Sequence, residues 1–201
     1  MIIAIAIFIF IFLMTVTIHE VSHGVVAYSL GDRTAKDMGR LTLNPLKHID
    51  PIWTIAFPVT LYFLGFPPIG MAKPVPVNFM NLRKPKQDMI WVAIAGPLSN
   101  LLLASVLVLC YKLFGSPILL IGIYFNIGLA VFNLIPIPPL DGSRVLMGFL
   151  PNNIANQLWK NEYIGIVVVF ILFYLGWLQR LVIPSINFFC QIFEVPKLVL
   201  G

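Results

Sequence analysis

The chain has 201 residues, of which 59% are apolar and 10% charged, and its mean hydropathy is +0.94. Charged residues make up about a quarter of a soluble protein. The 13 basic and 8 acidic residues and 3 histidines found here are too few to wet a water-soluble globule, which excludes a soluble enzyme, a disordered chain and a nucleic-acid-binding module. The net charge of +5 is explained by loops lying against a membrane face rather than by an acidic partner. Composition therefore predicts an all-α polytopic membrane protein, a bundle of about four to six membrane helices in a lipid bilayer.

In chain order, residues 1–30 carry no charge before Glu20, and the next charge is Asp32. An uncharged run of about 18 residues is enough to cross most of a bilayer. Its IAIAIFIFIF stretch is strand-like in composition, but a lone segment in lipid must satisfy its own backbone, so helix is forced. With no basic leader, and with His19, Glu20 and His23 inside it, the segment is expected to stay in the mature chain. Residues 31–50 are polar and carry Arg33, Lys36, Arg40 and Lys47. Residues 51–66 are apolar but short and interrupted by Pro58, as a re-entrant or interfacial segment would be.

Prolines punctuate 67–88, which reads as loop or edge strand. Within it, 72–79 (AKPVPVNF) has two readings: an exposed edge able to take up an extended peptide, or a polyproline-like loop. Residues 89–113 and 117–135 form convincing spans. A proline-rich break at 136–139 leads to Asp141, 163–183 form a further span, and the tail from Pro184 reads as an interfacial piece. All of this is expected to form one membrane domain over 1–201, with core motifs in 15–145 and C-terminal helices in 162–201. Cys110 and Cys190 form no CxxC pair and are expected to be free buried thiols, a disulfide requiring an oxidising side.

Two of the three histidines stand at His19 and His23 with Glu20 between them. Positions i and i+4 share a helix face, so both imidazoles can grip one ion. Glu20 can reach water at that ion, whose pKa zinc lowers toward about 7. The alternative is a pair of solubilising histidines with a local Glu–His contact. Inside a charge-free membrane helix, three ionisable groups in five residues are expensive, and function is the default. A catalytic zinc wants a third protein ligand. Asp141, after Asn133-Leu-Ile-Pro-Ile-Pro-Pro-Leu, is the first candidate, carried on a turn at the end of a membrane helix and fixed by Gly142. His48 is its rival.

These residues resemble the site-2 protease family of intramembrane zinc metalloproteases, peptidase family M50. The resemblance rests on His19-Glu20-Val21-Ser22-His23-Gly24, on Gly96-Pro97-Leu98-Ser99-Asn100, and on Asn133 through Asp141-Gly142, which is similar to that family's Asn-x-x-Pro-x-x-x-x-Asp-Gly element. It implies one Zn2+ per chain on His19, His23 and Asp141, Glu20 as catalytic base, and transmembrane proteins as substrates. Asn100 and Asn133 are candidates for contacting substrate, by donating to a developing oxyanion or holding a carbonyl. An interhelical hydrogen bond beside a close-packing Gly96 is the structural alternative for Asn100. No PDZ or CBS domain is present in these residues, so regulation by such domains is not implied. The competing function is a membrane metal-ion transporter using the same His/His/Asp site, in which Glu20 has no obvious task.

Zinc binding makes a demand on topology: the C-terminal ends of 1–30 and 117–135 must share one membrane side. They do so only if 51–66 does not cross. Loops 31–88 and 136–161 then share a face and hold all the Lys and Arg except Lys112, Arg180 and Lys197, which by the positive-inside rule makes that face cytoplasmic.

Overall fold

A computed structural model describes residues 2–65, 70 and 72–198. The predicted proline pair at 67–68 lies outside the described residues. Helix α1 is Ile2–Ser29, helical despite its Ile- and Phe-rich start because hydrogen bonding within the segment outweighs β propensity. Short α2 (Thr34–Asp37) follows, then α3 (Phe57–Phe63), α4 (Pro85–Phe114), α5 (Ile118–Asn133), α6 (Asp141–Phe149), α7 (Asn152–Lys160), α8 (Glu162–Tyr174) and α9 (Trp177–Phe193). Ala6–Ser29 and Pro85–Phe114 are long and apolar enough to cross a membrane. Helices α8 and α9 would count as a third span only together, bent by 75°, and Pro51–Phe63 and Ile118–Asn133 are shorter apolar helices.

Helices α1 and α4 are antiparallel, since Thr15 bonds Asn100 while His23, two turns later, bonds Val92. Helix α5 runs antiparallel to α4, with Asn126 on Asn100 and Gly122 on Leu107. The chain therefore returns to the His23 end of α1 when α5 finishes, as the topology argument required. Residues 51–63 do not join the bundle; none of them is buried, and Ile52, Trp53, Tyr62 and Phe63 are all exposed. The main core lies among α4, α5 and α9, around Ala104, Ile123, Ile127, Ile186 and Cys190. Both cysteines are free, Cys190 buried as expected and Cys110 only half-buried.

One open reading is decided and two expectations need correction. Among the described residues there is no strand, and 72–78 is an extended, unpaired strap. Pro74 and Pro76 have no donors for a ladder; the Lys73 amide donates to the His48 carbonyl, Arg40 donates to the Lys73 and Pro74 carbonyls, and Asp32 accepts from the Asn78 amide. The span expected at 163–183 is broken, because Gly176 adopts φ 74°, a left-handed turn that ends α8 and starts α9. Pro184 does not end α9. Its missing N–H costs about 3 kcal/mol, but Leu178, Ile186 and Cys190 on the buried face keep the helix against α5 and carry it to Phe193.

The strap is fastened by Asp32, which is 1% exposed and accepts hydrogen bonds from the Thr34 hydroxyl and amide, the Asn78 amide and the Asn81 side chain. Burial opposes its ionisation, but these bonds outweigh burial and hold its pKa below the ordinary carboxylate range. Asp32 therefore contributes stability above the unfolded pKa of about 3.9, and that contribution is lost as pH falls through the lower folded value. Asp32→Asn is expected to cost about 1–3 kcal/mol at pH 7. Thermal unfolding in detergent checks this, and the gap from wild type should narrow below about pH 4.

Candidate metal centre

Helix α1 presents His19 and His23 on one face, 4% and 9% exposed, with their Nε2 atoms 3.1 Å apart. Asp141 Oδ2 lies 3.1 Å from His19 Nε2 and 3.3 Å from His23 Nε2. Asp141 opens α6 rather than sitting on a turn at the end of a membrane helix, where the N-terminal dipole favours its charge. Gly142 is required for a different reason from turn geometry. A Cβ there would strike the Leu134 carbonyl and come within 2.6 Å of the Ile135 oxygen. The glycine lets α6 start directly against the end of α5.

The outer nitrogens of both rings are committed. Asn100 Oδ1, an acceptor only, lies 2.5 Å from His19 Nδ1, and the Val92 carbonyl lies 2.7 Å from His23 Nδ1. Each Nδ1 therefore carries the proton, and two bare Nε2 lone pairs face a carboxylate oxygen. Asp141 Oδ2 is buried and has no hydrogen-bond donor. One proton could bridge only one pair of these three acceptors, whereas a divalent ion answers all of them. Two imidazole nitrogens and one carboxylate oxygen form a donor set suited to zinc with a fourth position open. Among the described residues this is the one such group of His, Cys, Asp and Glu side chains.

Gly96 brings α4 against the rings: a Cβ there would run into His23 Nε2 and lie 2.6 Å from Cε1 of both histidines. Glu20, partly buried, accepts at Oε2 from the Val75 amide at 2.8 Å. The strap thus lies across the turn that carries the site, with Val75 buried against Gly24.

The other predicted residues are distributed differently. Asn100 is 0% exposed and holds His19, Asn126 and the Thr15 carbonyl. Asn133, in the last turn of α5, donates to the Leu129 carbonyl of its own helix. His48 is buried in the turn Pro45–His48, with Nε2 on the Thr42 carbonyl, and is not brought to the two histidines. Sequence reasoning missed Asn126 and Thr15, both buried beside Asn100. Asn126 carried a legible signal, a lone amide in the middle of an otherwise apolar stretch, ILLIGIYFNIGLAVF.

Fold and site together define a membrane-embedded helical protein built around a candidate divalent-metal centre. The model of Peptidase family M50 matches residues 7–118 and 110–175. The chain is 40% identical over 171 residues to "Putative zinc metalloprotease YwhC" of Bacillus subtilis, a match covering 78% of this chain and 75% of that protein. It is 32% identical over 183 residues to "Putative zinc metalloprotease Rip2" of Mycolicibacterium smegmatis, covering 86% of this chain and 65% of that one, so the chain spans just under two thirds of that relative. No solved structure matches. This chain belongs to peptidase family M50, and it is an integral membrane protein.

Proposed function

We propose that this chain is an intramembrane zinc endopeptidase that hydrolyses peptide bonds in or near transmembrane segments of membrane proteins. The observation that carries the reading is the convergence of His19 Nε2, His23 Nε2 and Asp141 Oδ2, with Glu20 on the helical turn between the histidines. His19, His23 and Asp141 hold the metal. When bound, zinc supplies a Lewis acid that acidifies water and polarises a carbonyl. Glu20 takes the proton of the attacking water and returns it to the departing amine. Asn100 orients His19, and Asn133 stands at the end of α5 as a candidate for contacting substrate.

A substrate helix keeps its carbonyls in its own hydrogen bonds, so cutting is expected where it unwinds, near small or helix-breaking residues. The site faces the cytoplasmic side of the cell membrane, a reading supported by the basic residues of loops 31–88 and 136–161. The experiment is cleavage of a panel of single-span substrates by the detergent-solubilised protein, with and without a chelator. Cutting that survives complete zinc removal would defeat the reading. The Val75 amide holds Glu20 in place, so Val75→Pro, which removes that N–H, is expected to keep its zinc and cut about 10-fold more slowly, as fits a lost hydrogen bond to a charged group of ~1.5 kcal/mol. Val75→Ala, with the amide intact, is the control for lost packing, read as kcat against zinc content.

A further inference from the structure

Behind His19 lies a polar chain that crosses three helices in an otherwise apolar interior. Thr15, Asn100 and Asn126 are each 0–1% exposed. The Asn126 amide nitrogen has two hydrogens and both are spent, one on Thr15 Oγ1 at 3.0 Å and one on the Gly122 carbonyl at 2.8 Å. Its Oδ1 must then face the other way, where it accepts from Asn100 Nδ2 at 3.0 Å. The second hydrogen of Asn100 points to the Thr15 carbonyl at 3.5 Å. With its nitrogen so engaged, Asn100 can offer only its oxygen to His19 Nδ1, 2.5 Å away. The imidazole must donate there, and Nε2 is left bare on the side of His23 and Asp141. The Gly122 carbonyl can only accept, which fixes the Asn126 amide, and Asn126 Oδ1 then fixes Asn100; turning either amide over would set acceptor against acceptor or donor against donor in a buried interior, where such a mismatch is costly.

We infer that Asn126 is a positioning residue of the metal centre: acting through Asn100, it fixes the amide orientation that makes His19 present Nε2 to the ion. The inference rests on the reading that His19, His23 and Asp141 hold zinc. Groups behind a metal-bound histidine typically contribute 10–100-fold in metal affinity.

The test is zinc affinity, measured by competition with a chromophoric chelator on the purified full chain in detergent, with the visible spectrum of the cobalt(II)-loaded protein as a second readout. Asn126→Leu keeps the branching and heavy-atom count of the side chain but removes the acceptor that orients Asn100, and is expected to bind zinc about 10–100-fold more weakly with an altered cobalt spectrum. Both oxygens of a carboxylate accept, so Asn100→Asp needs no orienting. That carboxylate would face Asn126 Oδ1, acceptor against acceptor, so in that background Asn126→Leu is expected to leave zinc affinity no weaker, and to raise it by relieving the mismatch. A packing defect would weaken binding equally in both backgrounds, and that result, or wild-type affinity and spectrum in Asn126→Leu alone, would overturn the proposal. Should Asn126→Leu fail to fold, the smaller Asn126→Ala decides, since it removes the same acceptor from Asn100 without adding bulk, with a several-fold weakening expected and no change overturning it. His19→Ala separates the two levels. If it binds zinc like the wild type, the metal reading itself is lost; if it does not while the Asn126 variants bind normally, only the relay is.

Discussion

Glu20→Gln is expected to hold zinc at wild-type stoichiometry and to cut about 10³-fold more slowly, within the usual range for a lost general base. Glu20 is not one of the three groups that converge, so removing its charge leaves the donor set complete. Glutamine has the same shape, and its carbonyl can still accept from the Val75 amide now bonded to Oε2. What it cannot do is take a proton from water. Zinc content and the melting temperature should therefore stay level while kcat falls. Normal cleavage by this variant would refute the assignment of the base. Zinc loss in parallel with activity would mean that Glu20 is a ligand.

Gly96→Ala is expected to bind zinc about 10–100-fold more weakly, though alanine in a helix interior ordinarily adds up to ~1 kcal/mol of stability over glycine. The added methyl would occupy space now filled by His23 Nε2 and by Cε1 of both rings. Neither ring can swing away freely, since His19 is tied to Asn100 and His23 to the Val92 carbonyl. Either the rings leave those partners or α4 moves off α1, and overpacking of this kind typically costs 1–3 kcal/mol. Gly142→Ala approaches the site from the other side, and its obstacle is main chain of Leu134 and Ile135, which displaces Asp141. Chelator competition on both variants, beside Gly39→Ala as a surface control with nothing within 4 Å of the added Cβ, checks the prediction. Gly39 has φ 62°, so that control should lose some stability and no zinc.

Much of the site was legible in the chain because its signals are local or rare. His19, Glu20 and His23 stand out against a helix with no other charge, and Asp141 follows the proline run that must end α5. Asn100 was legible as a buried amide four residues from Gly96, but not as the partner of His19: which acceptor meets which ring nitrogen is a matter of helix rotation. Asn126 and the strap amide of Val75 lie 111 and 55 residues from the side chains they bond, Thr15 and Glu20, and periodicity carries no information over that distance.

The sequence by itself determined that this is a helical membrane protein, that one helix offers two imidazoles and a glutamate, and that 51–66 must stay out of the count of crossings for a distant carboxylate to arrive. Those conclusions follow from hydrogen-bond satisfaction in lipid and from parity, which need no coordinates. Only the tertiary structure decided that Asp141 opens a helix, that 72–78 is a strap rather than a strand, that Gly176 bends the last apolar stretch, and that Asn126 stands behind His19. Each of these depends on which faces meet, and that is settled by close packing among segments far apart in the chain.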